Sequence, residues 1–222
     1  MAFFITASCN RVSEAEESEE LSSEAIPELR KTEVKTIATI DYLERANSFA
    51  AFVLKDRLQS HEYEANSEEI KHFQFFSKKG LRRIYAFSDR GYPKYSKPRS
   101  YEHFTLFCFQ YQTDNRAKEV FKHLRKLSQI KPEEVQNLDS LSRWKIESFS
   151  MLAKPGGFLV QKGKCLFSLV NTCRNTPIGG SWLEYENLFL HYLNENEKSF
   201  QVLNADCGYM KYYLESRSPK GE

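Results

Sequence analysis

Apolar side chains recur along this chain with two periods, near 3.6 and 2, and the switches between them predict its elements. In "TIDYLERANSFAAFVLKDRL" Leu43, Ala46, Ala50, Val53, Leu54 and Arg57 fall near helical spacing behind Thr39 or Asp41 as cap. The spacing predicts a first helix over 40–59. "TDNRAKEVFKHLRKLSQI" predicts a second, capped by Thr113 or Asp114, with Ala117, Val120, Phe121, Leu124 and Leu127 on one face. A helical link is expected around 133–143. "SWLEYENLFLHYLNEN" predicts a further amphipathic helix capped by Ser181.

Between these lie β-type runs. "HFTLFCFQY" is apolar on both faces and predicts a strand inside a sheet. "EEIKHFQFFSKKGLRRIYAFSD" predicts a hairpin with strands at 69–77 and 81–88 around Gly80, in preference to a helix starting at Ser67 and capped by Gly80. "ESFSMLAKPGGFLVQKGKCLFSLVNTC" predicts two or three short strands turning at "KPGG" and Gly163, and "SFQVLNADCGYMKYYLES" an extended piece closing a sheet edge. Strand pairs joined by turns, with helices between them, give an α+β class: a mainly antiparallel sheet carrying three to four helices. The domain organisation that follows is a segment at 1–9, a disordered acidic tether at 10–34 and one α+β domain at 35–222.

Composition adds an ample supply of core material, 17 Phe and 12 Tyr in 222 residues, and a net charge of only +2. A balanced charge implies no polyanionic partner by itself. Nowhere does the chain approach the roughly 18 successive apolar residues of a membrane-spanning helix.

The N-terminus changes this picture. "FFITASCN" is a short apolar run ending in small residues and a cysteine, and "SEAEESEELSSE" behind it holds six glutamates and no base. Apolar run, Ala7, Ser8, Cys9 and acidic tether stand in the order of a bacterial lipoprotein signal, and the segment resembles the lipobox and export tether of Bacteroidota lipoproteins. The resemblance covers about ten residues and the tether's composition. It implies lipidation at Cys9, a signal whose start was assigned late, and an address at the outer membrane or cell surface. The rival address is cytoplasmic. Without Cys9 four cysteines remain, Cys108, Cys165, Cys173 and Cys207. An oxidising envelope permits bridges among them; Cys173 with Cys207 is the expected pair, and Cys108 the expected buried thiol.

Candidate chemistry is sparse. GxSxG, GxGxxG, CxxC and HExxH are all absent, so neither catalytic residues nor a cofactor or metal set is expected. His61, Glu62, Glu64, Glu68, Glu69 and His72 make an acidic cluster that reads as a solvated loop. From Lys78 to Arg99 eight cations and one acid interleave with tyrosines and phenylalanine. That stretch supplies a candidate binding surface of Arg82, Arg83, Arg90, Tyr92, Lys94, Tyr95 and Arg99, suited to carboxylate or phosphate acceptors. No RNP, KH or helix-turn-helix signature accompanies it, which argues against nucleic acid. The function expected is non-enzymatic binding or assembly by a membrane-tethered envelope lipoprotein, its partner an envelope protein or acidic ligand. The alternative is an intracellular protein using the basic aromatic loop on an acidic partner or nucleic acid.

Overall fold

The computed structural model describes residues 40–67, 73, 76–89, 104–171 and 181–219, all within one compact unit spanning 40–222. Asp41 caps the first helix, α1 (Tyr42–Leu54), by accepting the N–H groups of Leu43 and Glu44. A single 3₁₀ turn follows, then strands β1 (Gln59–Glu64), β2 (Leu81–Ser88) and β3 (Thr105–Tyr111). Helices α2 (Asp114–Ser128), α3 (Pro132–Val135) and α4 (Ser140–Ala153) come next. The chain continues through β4 (Gly157–Lys162), β5 (Cys165–Val170), α5 (Trp182–Leu193), β6 (Phe200–Ala205) and β7 (Tyr213–Arg217).

The seven strands form one sheet in the order β1-β2-β3-β5-β4-β6-β7, antiparallel at every pairing. The fold is therefore α+β with an antiparallel sheet, and five helices accompany it among the described residues. Both sheet faces are covered, which is why the inner strands are apolar at nearly every position. On one face Leu106, Cys108, Phe158, Val160, Phe167 and Val202 pack under Phe49 and Val53 of α1 and Phe189 and Leu193 of α5. On the other Phe107, Phe109, Leu159, Leu166 and Leu203 pack under Val120 and Leu124 of α2 and Phe149 and Ala153 of α4. Alternate residues of one strand thus serve two cores. Arg45 ties the first layer together: its guanidinium donates to the carbonyls of Tyr192 (3.2 Å) and Leu193 (2.9 Å) at the C-terminus of α5.

Three sequence expectations change. The first helix stops at Leu54 instead of 59, because Lys55 takes φ 51° and turns the chain into β1. The partner of β2 is Gln59–Glu64, register Glu64↔Arg83 to Gln59↔Ser88, and not 69–77. Within 69–77, Phe73 and Phe76 are both buried in the second core, bridged by a tight turn from Phe76 N–H to the Phe73 carbonyl (2.9 Å). Two rings three residues apart on one side are incompatible with strand alternation. Residues 147–153 are the last half of α4 and not a strand, since Ile146, Phe149 and Ala153 recur at helical spacing behind an Asp139 cap.

Other element-level expectations match the described structure. Thr113 and Ser181 are N-caps, Gly163 turns β4 into β5, and β3 lies inside the sheet. Gly157 has φ 111°, and a Cβ there would lie 2.0 Å from the Leu169 carbonyl oxygen, so the start of β4 admits only glycine. No helix among the described residues is long and apolar enough to cross a membrane.

Candidate functional site

The two covering helices of the first face, α1 and α5, lie over the middle of the sheet, and its β1–β2 end changes character there. Glu62 and Glu64 of β1 lie across from Tyr85 and Arg83 of β2, and register brings Gln110 of β3 alongside. Pairs directly opposite in an antiparallel ladder point to the same face, so these polar groups share one side. Together with Leu81, Arg82, Ala65 and Asn66 they line an open groove of about 670 Å³. Arg83 organises it: Nε reaches Glu62 at 3.2 Å and Nη1 reaches Glu64 at 3.0 Å. One guanidinium thus reaches two exposed carboxylates, whose outer oxygens can accept from a ligand. Burial, then the charge of Glu62, raises the Tyr85 phenol above its ordinary pKa, so it stays a neutral donor at the groove floor.

A second polar cluster sits at the far end of the same face. Glu186 of α5 and Arg217 of β7 are 6% and 9% exposed and form an ion pair. Asn171 Nδ2 donates to Glu186 at 2.6 Å, and Arg217 Nη2 to Glu215 at 2.9 Å. Burial pushes the Glu186 carboxyl above the usual range, and the charge of Arg217 only partly opposes it. This cluster fastens the edge strand β7 to α5. It is enclosed, and the β1–β2 groove is open.

The expected surface residues divide between these descriptions. Arg82 and Arg83 stand on β2 at the groove, Arg82 exposed and Arg83 engaged by Glu62 and Glu64. Arg90, Tyr92, Lys94, Tyr95 and Arg99 lie outside the described residues, as do Cys9, the tether at 10–34 and Cys173. Cys207 is disulfide-bonded; Cys108 and Cys165 are free and buried. Of the acidic cluster, His61, Glu62 and Glu64 belong to a strand and not to a loop, while Glu68, Glu69 and His72 lie outside the described residues. Among the described residues no three His, Cys, Asp or Glu side chains converge as metal ligands.

No family model, curated protein or solved structure matches this chain.

Sequence reasoning missed Glu62, Glu64, Tyr85 and Gln110 as one set. The signal was there in "QSHEYE", whose alternation puts both glutamates on one side of a strand. Glu186 also left a trace, as the single charge among Trp182, Tyr185, Phe189 and Leu190 on the inner side of its helix.

Proposed function

We propose that this chain is a lipid-tethered bacterial envelope protein with a non-enzymatic binding or assembly role, and that its partner seats in the β1–β2 groove. The observation that carries the reading is the Glu62–Arg83–Glu64 lattice beside Tyr85 and Gln110. It is a row of donors and acceptors lining an open groove at the β1–β2 end of the sheet. Such a row suits an extended polypeptide carrying basic or amide side chains, which can engage the outer carboxylate oxygens, the phenol and the amide in register. Among the described residues no further strand pairs with the outer side of β1, so a partner segment has backbone groups to meet as well. The lipobox-like "ITASC" supports the tether at Cys9, and the disulfide at Cys207 supports an oxidising compartment.

Two measurements test the two halves. Cys9→Ser should release the native protein from the membrane fraction; unchanged fractionation removes the lipid anchor. A photo-crosslinking residue placed at Glu62 or Gln110 should capture a discrete partner in native membranes, and the same residue at exposed Lys198 should not. Arg83→Glu should abolish that capture. Equal capture from Lys198, or capture indifferent to Arg83→Glu, removes the groove.

A further inference from the structure

The opposite side of the sheet carries a surface that the groove does not use. On α4 the residues Leu141, Trp144, Ser148 and Met151 follow one another at spacings of three, four and three, a single stripe along one flank. Leu141 is 59%, Trp144 37% and Met151 50% exposed. This stripe is beside the core and outside it, since Ile146, Phe149 and Ala153 are the positions α4 buries. Such spacing puts Lys145 on the same flank.

α2 brings cations to that flank. It shares the second core with α4. Burial, then the charges of Lys145, Lys126 and Arg116, holds the His123 imidazole below its ordinary pKa, which puts Lys145 of α4 within electrostatic reach of α2. Arg116 and Lys118 are paired, with Glu119 and Asp114. Lys122, Arg125 and Lys126 are exposed, and among the described residues no carboxylate pairs with them or with Lys145. Asp139 caps α4 and Glu134 accepts from Lys131 N–H. Glu133 and Glu147 are exposed, Glu147 one turn from both Trp144 and Met151, and these two acids are outnumbered by Lys122, Arg125, Lys126 and Lys145.

We propose that the α2–α4 surface rests on an anionic lipid bilayer, with Leu141, Trp144 and Met151 at headgroup depth and Lys122, Lys126 and Lys145 against lipid phosphates. Tryptophan is favoured at the water–lipid boundary, and lysines beside an apolar helical stripe are the pattern of interfacial helices. An acidic protein would be served by the cations alone; three exposed apolar side chains in a row beside them fit a surface with an apolar interior. Contact through this layer would turn the β1–β2 groove, on the other sheet face, away from the bilayer. The inference is independent of Cys9 and of the groove.

The test uses the full-length, unacylated chain with Trp182→Phe, which leaves Trp144 as the reporter of two tryptophans. The protein should float with phosphatidylglycerol–phosphatidylcholine vesicles, bind phosphatidylcholine alone weakly, and dissociate as NaCl rises. Trp144 emission should shift to the blue only with the anionic vesicles. Replacing Lys122, Lys126 and Lys145 together by glutamine should weaken binding on the order of a hundredfold, about fivefold per cation. Trp144→Ser should weaken it with the charge intact, and both variants should melt like the parent. Vesicle binding that survives the triple glutamine substitution, or occurs without a Trp144 shift, overturns the proposal. So does binding to polyglutamate with no affinity for vesicles, which would assign the surface to an acidic polypeptide.

Discussion

Removing Arg217 should damage this protein far more than removing the charge it pairs with. The guanidinium is shared between Glu186, 6% exposed on α5, and Glu215, whose side chain is 38% exposed. In Arg217→Met the Glu215 carboxylate turns to water, but Glu186 is left ionised under α5 with Asn171 as its remaining partner. Breaking a buried pair in this way costs about 3–5 kcal/mol. For a domain of this size that is a fall in Tm on the order of 10 °C. Glu186→Gln leaves Arg217 paired with Glu215 and preserves an acceptor for Asn171, so its cost should be about 1 kcal/mol, the worth of one hydrogen bond. The double variant should recover most of the Arg217→Met loss, because the stranded charge is gone. A pH series adds an independent sign. Burial raises the folded pKa of Glu186 above its unfolded value. The folded state therefore binds that proton more tightly, and the group's contribution to stability improves as pH falls through the folded pKa toward the unfolded one. Arg217→Met removes the charge that opposes this rise, so its deficit should shrink between about pH 7 and about pH 5. Denaturant melts of the four proteins at both pH values check the cycle. Equal and additive losses for the two single variants, with no pH dependence, would refute a desolvated Glu186 held by Arg217.

Three further outcomes follow from the packing. Gly157→Ala should destabilise by roughly 3 kcal/mol or more, or prevent folding, since its Cβ would overlap the Leu169 carbonyl, whereas Gly208→Ala, also at positive φ but with nothing within 4 Å, should cost only about 1 kcal/mol of backbone strain; thermal melts separate them. Burial and the neighbouring Cys165 push the Cys108 thiol well above its ordinary pKa, so both free cysteines should resist alkylation in the native protein and react on unfolding; rapid labelling at neutral pH would contradict their burial. Ser181→Ala should lower stability by about 1 kcal/mol, because Ser181 and Glu184 satisfy each other's N–H groups at the start of α5.

How far the sequence disclosed this depends on what each residue had to say locally. Thr113, Ser181 and the apolar faces of α2 and α5 declare themselves, because a cap and a helical stripe are written within a few positions. The strand at Thr105–Tyr111 is legible for a related reason: only a strand covered on both faces is apolar at successive positions. The partner of β2 was not legible. "FQFF" has stronger β propensity than "QSHEYE", yet Phe73 and Phe76 are drawn into the second core and the polar run takes the ladder. The last half of α4 was misread because Phe149, Met151 and Leu152 suit a strand, and only the Asp139 cap ten residues before marks the helix. Arg83 was picked out as a surface cation, while its two acidic partners come from another strand and need the register to be seen.

The same reasoning explains why the groove is where it is. A sheet covered on both faces has little room for unpaired charge, and from β3 to β6 the first face holds Cys108, Phe167, Phe158 and Val202 in the shelter of α1 and α5. Moving outward along the pairing, Cys108 meets Tyr85, and Tyr85 meets Glu62; one strand further in, Phe167 is fully buried. The row passes from apolar through amphipathic to ionised within three strands. Tyr85 marks the boundary, packed against the core and within electrostatic reach of Glu62. If the β1–β2 end were merely unfinished cover, scattered solvated side chains would serve there, and no single guanidinium would need to span two carboxylates. Arg83 does span them, at 3.2 and 3.0 Å. An exposed bridge of this kind adds little to stability. What it does is join two carboxylates of β1 through one side chain of β2, which gathers donors and acceptors along the open groove.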